Sequence, residues 1–245
     1  MRDLDHSGDL LSIPTDFSLA ENGWRYARPF SSPSIEIGIV RGFNVALPSH
    51  FHDEDQVTFV LAGRRRFSLS GKSIEVTADH GLHIAAGVAH RSLNETSDIL
   101  CVSLYLPSKR FNASDLITEL RVQRRRNGGL DRDRLMSILG RTMRGNGSIE
   151  ILQCSPTLKL TESVTKAAQI NHMSREGFSR RFKRHYGITP QAFKLVKRLN
   201  EARRLLRAGV PIAAAAAQTG FSDQSHLGRL FRRFFGVTPR QYRCG

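Results

Sequence analysis

RRFKRHYGITPQAF, Arg180 to Phe193, and RLFRRFFGVTPRQY, Arg229 to Tyr242, are one phrase written twice, forty-nine residues apart. Aligning residues 178–193 with 227–242 gives six identities in sixteen positions: Arg, Phe, Arg, Gly, Thr and Pro. Upstream the match continues as Val164-x-x-Ala-Ala against Ile212-x-x-Ala-Ala, with the offset shortened by one. The second copy therefore carries one extra residue in its turn.

Each copy reads as a short helix, a turn and a longer basic helix, which is the layout of a helix-turn-helix unit. In the first copy Ser174 precedes REGFSRRFKRHY, where Phe178, Phe182 and Tyr186 recur at helical spacing. Gly187 stops that helix, and Thr189-Pro190 starts the next, because Thr caps well and Pro suits the first helical position. Thr161 is a candidate cap for the short helix before it, and Ser222 or Asp223 for QSHLGRLFRRFF in the second copy. Crossed helices need small residues where their backbones meet, a need that Ala167, Ala168, Ala216 and Ala217 answer. With Phe178/Phe182 and Leu227/Phe231 buried, the outward face of the first copy carries Arg175, Glu176, Ser179, Arg180 and Lys183. The second presents Gln224, Ser225, Gly228, Arg229 and Arg232. Most of these side chains are of the kinds that bond base edges and phosphates in a major groove.

Between the copies, residues 190–208 read as one helix, about 28 Å long at ~1.5 Å per residue. Successive major grooves on one side of B-DNA lie ~34 Å apart, so a rigid helix of this length sets two reading heads into neighbouring grooves. Residues 158–243 resemble the DNA-binding domain of AraC/XylS-type transcription regulators, and AAQTGFSDQSHLGRLFRRFFGVTPRQYR, Ala216 to Arg243, is close to that family's signature. The sequence departs from the pattern at Asn171-His172 and at Gly228, where the family usually has a larger polar residue. The resemblance implies double-stranded promoter DNA and RNA polymerase as partners, usually in activation.

Charge supports the division. Residues 158–245 hold 18 Lys and Arg against 4 Asp and Glu, a net +14, whereas residues 1–157 hold 19 against 18. One part is nearly neutral and the other a concentrated cation, which points to nucleic acid or an anionic surface. No run of 18 apolar residues occurs, and the acidic start MRDLDHSGDLLSIPTDF lacks a signal peptide's apolar core, so no membrane segment is expected. Three scattered cysteines, Cys101, Cys154 and Cys244, form neither a disulfide framework nor a metal knuckle. So few and so scattered, they point to a reducing, cytoplasmic home.

Residues 35–105 read as closely spaced strands (IEIGIV, QVTFVLAG, RRFSLS, SIEVTA, LHIAA, ILCVSLYL) with turn residues between them, the pattern of a sandwich or barrel. After Pro107 the period turns helical: Leu116, Ile117 and Leu120 share one face, as do Leu135, Ile138, Leu139 and Met143. These stripes either pad the barrel or form an exposed seam for a second subunit, making a homodimer. Arg144-Gly-Asn-Gly-Ser148, extending to Ser155-Pro156, reads as a linker. The chain is thus expected to be a multidomain α+β protein. Residues 1–145 form a β-barrel domain with appended helices, 146–157 a linker, and 158–245 an all-α domain of two helix-turn-helix units (about 160–187 and 211–236) joined by the helix 190–208.

LPSHFHDEDQVTFVLAG, Leu47 to Gly63, and DHGLHIAAGVAHRSLN, Asp79 to Asn94, resemble the two cupin motifs. In metal-binding cupins the two early histidines, an acid and a late histidine hold a divalent ion. The matching residues here are His50, His52, Gln56 and His90, with Gln replacing the acid and Ala86 and Ala89 replacing prolines. The expectation is a pocket for a small-molecule effector, with no cofactor, lined by His50, His52, Gln56 and His90; Trp24 closes its mouth or joins the core. A metal, if held, falls to His50, His52 and His90. The same histidines leave a metal-dependent cupin enzyme with a basic tail as the alternative to a non-enzymatic regulator. In the regulator, an effector is expected to reorder the barrel or an N-terminal arm of roughly residues 1–30. A helical RNA- or membrane-binding module is disfavoured, because the basic helices bury their aromatics.

Overall fold

A computed structural model describes residues 16–28, 35–69, 71–108, 110–142 and 163–244 of the chain. The expected N-terminal arm lies largely outside these residues, as do the 144–156 linker, Met143, Cys154 and Thr161. Among the described residues no helix is long and apolar enough to cross a membrane.

The first half is built from two antiparallel sheets. One has five strands: β1 (Gly23–Ala27), β2 (Glu36–Gly42), β9 (Ile99–Leu106), β4 (Asp55–Ala62) and β7 (Gly81–Ile84), in that order. The other has four: β3 (Leu47–His50), β8 (His90–Ser92), β5 (Arg64–Leu69) and β6 (Lys72–Thr77). All eight residues of β9, ILCVSLYL, are buried, as a strand covered on both faces requires. Gly63 adopts a left-handed φ of 74° beside the backbone of Asp98, where a Cβ would lie 2.6 Å from the carbonyl oxygen, so only glycine turns the β4–β5 corner. Six of the nine strands coincide with the apolar runs of the sequence; β1, β3 and β8 are short and carry Trp, Pro, His and Arg, which hid them.

Helices α1 (Ala113–Asn127) and α2 (Arg132–Thr142) close one face of the five-stranded sheet. Leu116, Leu120, Leu135, Ile138 and Leu139 share a core with Ile37, Ile39, Val57, Phe59, Val102 and Leu104. The described residues of these stripes thus pack within the chain and form no exposed seam.

The second half contains α3 (Val164–Ile170), α4 (Arg175–Tyr186), α5 (Pro190–Arg207), α6 (Ile212–Gln218), α7 (Gln224–Phe235) and α8 (Pro239–Cys244). Ser163, Ser174, Thr189 and Asp223 each cap a helix by accepting from a backbone N–H in its first turn, so Ser163, and not Thr161, starts α3. Gly187 and Gly236 end α4 and α7 in the left-handed conformation. The one-residue difference between the copies lies in the α6–α7 turn, where Gly220 takes φ 73°; in the first copy His172 holds the left-handed position at φ 53°. In the second copy Ala215 and Ala216 pack inward and Ala217 is exposed, one position earlier than the sequence reading placed the close approach.

A single apolar cluster runs through both helix-turn-helix units and into the barrel. It joins Phe178 and Phe182 of the first unit to Leu227, Phe231 and Phe235 of the second through Phe193, Val196, Leu199, Ala202 and Leu206 of α5. Tyr26, Phe51, Ala89 and Tyr105 of the barrel belong to the same cluster.

Candidate nucleic-acid interface and barrel pocket

Helix α5 has 18 residues, about 27 Å at ~1.5 Å per residue, and carries one reading head at each end. On α4, Arg175, Glu176, Arg180 and Lys183 are exposed and Ser179 is partly so, its hydroxyl donating back to the carbonyl of Arg175 at 2.8 Å. On α7, Gln224, Ser225, Arg229 and Arg232 are exposed, with Gly228 half-buried. No side chain stands within 4 Å of a Cβ built on Gly228, so that position is open. The second head is further tied to the spacer by Arg198, whose Nε donates to the Thr219 carbonyl at 2.7 Å while its guanidinium lies 4.3 Å from the Phe221 ring.

The first head does not stand clear of the barrel. A cleft of about 600 Å3 separates them, lined by Arg180, Lys183, Arg184 and His185 on α4 and by Ser49, Ser68, Ala89 and Arg91 on the barrel. Gly187 lies 3.6 Å from Ala89 when a Cβ is built on it, so the end of the first head rests on the rim of β8. The glycine of the second copy docks even more closely. A Cβ on Gly236 would come 2.3 Å from Trp24 Cδ1, and Tyr26 Oη donates to the neighbouring Phe235 carbonyl at 3.0 Å. Trp24 therefore packs against the second head and Arg65, whose guanidinium lies 5.8 Å from the indole. Both repeat glycines are contact points with the barrel as well as helix stops.

The histidines converge as the sequence implied. β3 pairs antiparallel with β8 so that His50 faces His90, and His52 follows two residues on. Ring centroids are 4.4 Å apart for His50 and His90, 4.8 Å for His50 and His52, and 5.3 Å for His52 and His90. Gln56 enters from β4, donating to Thr58 Oγ1 at 2.9 Å, and Thr58 in turn meets Ser103 Oγ at 2.9 Å. Burial, then mutual repulsion and nearby guanidinium groups, holds His50 and His52 well below the ordinary histidine pKa. Burial pushes His90 down to about 4. All three are neutral imidazoles near pH 7.

Neutral rings fix the proton positions. His50 Nδ1 donates to the Pro48 carbonyl at 2.7 Å and His90 Nδ1 to Val88 at 3.1 Å, leaving Nε2 as the lone-pair atom of each. His52 is reversed. Arg203 Nη1, which can only donate, meets His52 Nδ1 at 3.2 Å, so the proton sits on Nε2, a buried atom with no hydrogen-bond partner in the protein.

That tautomer decides the metal question. The ligand atoms of the three histidines lie within 4.8 Å of one another, and among the described residues no carboxylate joins them. With Arg203 in place, His52 presents an N–H where a divalent ion needs a lone pair. Gln56 brings no negative charge, and the guanidinium groups of Arg65 and Arg203 bear on the same histidines. The donor set does not fit a divalent ion in this arrangement.

Sequence reasoning missed a buried network of charges that spans the two halves. Arg203 of α5 is 1% exposed and Glu36 of β2 is fully buried. They form an ion pair across the two halves, and Tyr242 of α8 donates its hydroxyl to the other Glu36 oxygen. Arg203 Nε donates to Tyr242 Oη at 3.2 Å, which closes the ring. Glu54 lies 3.7 Å from Arg203 and is hydrogen-bonded to Arg207. Burial works to raise the Glu54 carboxyl, but Arg203 and Arg207 overcome it and hold it below its usual range. Burial likewise opposes the charge on Arg203, and Glu36 with its neighbours outweighs it, so the guanidinium stays charged. The signal in the sequence was an arginine on the apolar stripe Val196, Leu199, Leu206 and an acid opening the apolar strand EIGIV. Buried opposite charges in such positions need each other.

Comparison with known proteins agrees with this architecture. A family model described as a helix-turn-helix domain matches residues 167–244, and one described as a cupin domain matches residues 44–105. A Bacillus subtilis (strain 168) protein, the uncharacterized HTH-type transcriptional regulator YbfI, is 43% identical over 68 residues, covering 27% of this chain and 25% of the relative. The match thus spans about a quarter of that relative's length. Two crystal structures of ToxT from Vibrio cholerae share the fold across the chain. The unsaturated fatty acid-bound ToxT of strain SCE256 has a TM-score of 0.50 at 12% identity, covering 88% of this chain and 97% of ToxT. ToxT of strain O395 gives 0.50 at 11% identity, with 86% and 98% covered. The chain thus joins a barrel matched by the cupin model to a helical half matched by the helix-turn-helix model, and shares its overall fold with ToxT.

Proposed function

We propose that the chain is a sequence-specific, DNA-binding transcription regulator whose cupin barrel answers to a small-molecule effector. The observation that carries the DNA reading is the pair of matched outward faces. Arg175, Glu176, Ser179, Arg180 and Lys183 on α4 correspond to Gln224, Ser225, Gly228, Arg229 and Arg232 on α7, held at the two ends of one helix of about 27 Å. Arginines and amide or hydroxyl side chains at these positions read base edges, and the net charge of +15 supplies phosphate contacts. The effector pocket of this reading is the barrel interior around His50, His52, Gln56 and His90, with Trp24 assigned to transmission rather than to ligand contact.

Cytoplasmic promoter DNA, RNA polymerase as partner, activation, a homodimer and the division at residues 146–157 complete the proposal. They rest on the resemblance to AraC/XylS regulators and on the chain's charge and turn composition. The test is capture and sequencing of genomic fragments by the purified full chain at several salt concentrations. Enrichment of a shared motif with affinity falling steeply in salt supports the reading; sequence-blind capture or a flat salt response overturns it. A metal-dependent cupin enzyme, the competing reading, requires stoichiometric metal in the purified protein and turnover lost on replacing His50, His52 or His90.

A further inference from the structure

The surroundings of Arg203 have the composition of a receptor. Its guanidinium carbon lies 4.4 Å from the ring centroid of Tyr105, 5.4 Å from Phe235, 5.8 Å from Tyr26 and 5.9 Å from Tyr242. Four aromatic rings thus lie within 6 Å of the planar fork, and its edges find acceptors: Glu36 at Nη2, His52 Nδ1 at 3.2 Å and Glu54 at 3.7 Å from Nη1. Aromatic rings and carboxylates arranged around a cation are how proteins recognise guanidinium and ammonium compounds. Here the cation is covalently part of α5, while Glu36, Glu54, His52, Tyr26 and Tyr105 belong to the barrel.

We propose that the barrel mouth is a binding site for a small organic cation of the guanidinium class, which Arg203 occupies in cis as a built-in ligand. The cost of leaving Glu36 alone gives the site its selectivity. A carboxylate buried this deeply does not stand unpaired, so withdrawal of α5 leaves a vacancy that favours a cation. An ammonium supplies charge from a point, whereas a guanidinium also reproduces the separated donations to Glu36 and His52 and stacks on Tyr105. Diffusible cation and Arg203 exclude one another. Occupation from solution therefore removes the Arg203 tether between α5 and the barrel, and because both reading heads are built on α5, it loosens them together. This consequence for DNA rests on the regulator reading, whereas the site itself stands on its own geometry.

The test is chemical rescue in the full-length chain. In Arg203→Ala, methylguanidinium at millimolar concentration is expected to raise Tm saturably, with sodium chloride of equal ionic strength giving no such rise. Wild type, whose site is filled, and Glu36→Gln/Arg203→Ala, which lacks the carboxylate, are expected to show no saturable rise. If Arg203→Ala does not fold unaided, the readout becomes its refolding yield with methylguanidinium against sodium chloride. Equal behaviour of Arg203→Ala and the double variant in whichever readout applies overturns the proposal. DNA binding by the same wild-type protein is measured separately: its loss would sink the regulator reading and leave the rescue standing, and absent rescue would sink the cation site alone.

Discussion

Arg203, on the helix joining the two reading heads, is ion-paired with Glu36, which opens a strand inside the barrel 167 residues earlier in the chain. Neither side chain meets solvent. Removing one partner of such a buried pair typically costs about 3–5 kcal/mol, because the other charge is stranded. Arg203→Ala and Glu36→Gln are each expected to lower stability on that scale in urea denaturation. The double variant is expected to lose clearly less than the sum of the two; strict additivity would show that the pair is not coupled.

Arg229 is exposed at the middle of α7, on the face proposed to read a major groove. Arg229→Ala is expected to reduce discrimination among operator variants by about 1–3 kcal/mol, measured as the ratio of specific to non-specific affinity at fixed salt. A change in both affinities with an unchanged ratio would reassign Arg229 to phosphate contact.

The three histidines make stability sensitive to mild acid. Their folded pKa values lie below the unfolded value of about 6.5, so between that pH and about 4 the unfolded chain takes up protons that the native protein refuses. Their contribution is therefore complete above pH 6.5 and lost as pH falls; His90 alone accounts for roughly 3 kcal/mol by pH 4. Denaturation midpoints are expected to drop between pH 6.5 and 5, above the ordinary range of carboxylates, and His90→Gln to flatten that slope. A midpoint that holds constant across this interval would contradict the assignment.

Two cysteines should react very differently. Cys101 is buried in β9 and burial pushes its thiol up to about 11, whereas Cys244 is exposed. Alkylation followed by peptide mass spectrometry is expected to label Cys244 promptly and Cys101 only on unfolding.

Gly236 and Gly187 occupy equivalent places in the repeat and both have left-handed backbones, at φ 77° and 73°. Alanine at Gly187 meets only an ordinary contact with Ala89, so its cost is the backbone strain of about 1–2 kcal/mol. Alanine at Gly236 adds a collision with Trp24. Gly236→Ala is expected to destabilise the protein more than Gly187→Ala and to alter the fluorescence of Trp24, the single tryptophan.

The repeat was legible because its information is local. Caps, stops, the Thr-Pro restart and the aromatic spacing each depend on neighbours within one turn, so the helices of the second half, the long spacer among them, could be read from residues alone. The strands with apolar runs were legible for the same reason. β1, β3 and β8 were not, since GWRYA, LPSH and HRS gain their strand character from partners across the sheet. In the site, motif spacing pointed to His50, His52 and His90, which the fold brings together. Trp24, expected at the mouth or in the core, packs against the barrel core and also on Gly236 of the other half, a contact that the sequence did not signal. Arg203 and Glu36 escaped for a related reason: each is anomalous in its own element and explained only by the other.

The 18-residue spacer also fixes a phase. One residue inserted within it would rotate everything downstream by about 100° and advance it by ~1.5 Å. On the proposed DNA reading the second head would turn away from its groove, and an insertion before Arg203 would at the same stroke carry that guanidinium away from Glu36. Distance between half-sites and closure of the barrel are thus written into the same count of peptide bonds. A lineage that altered the operator spacing by lengthening this helix would have to rebuild the barrel mouth as well.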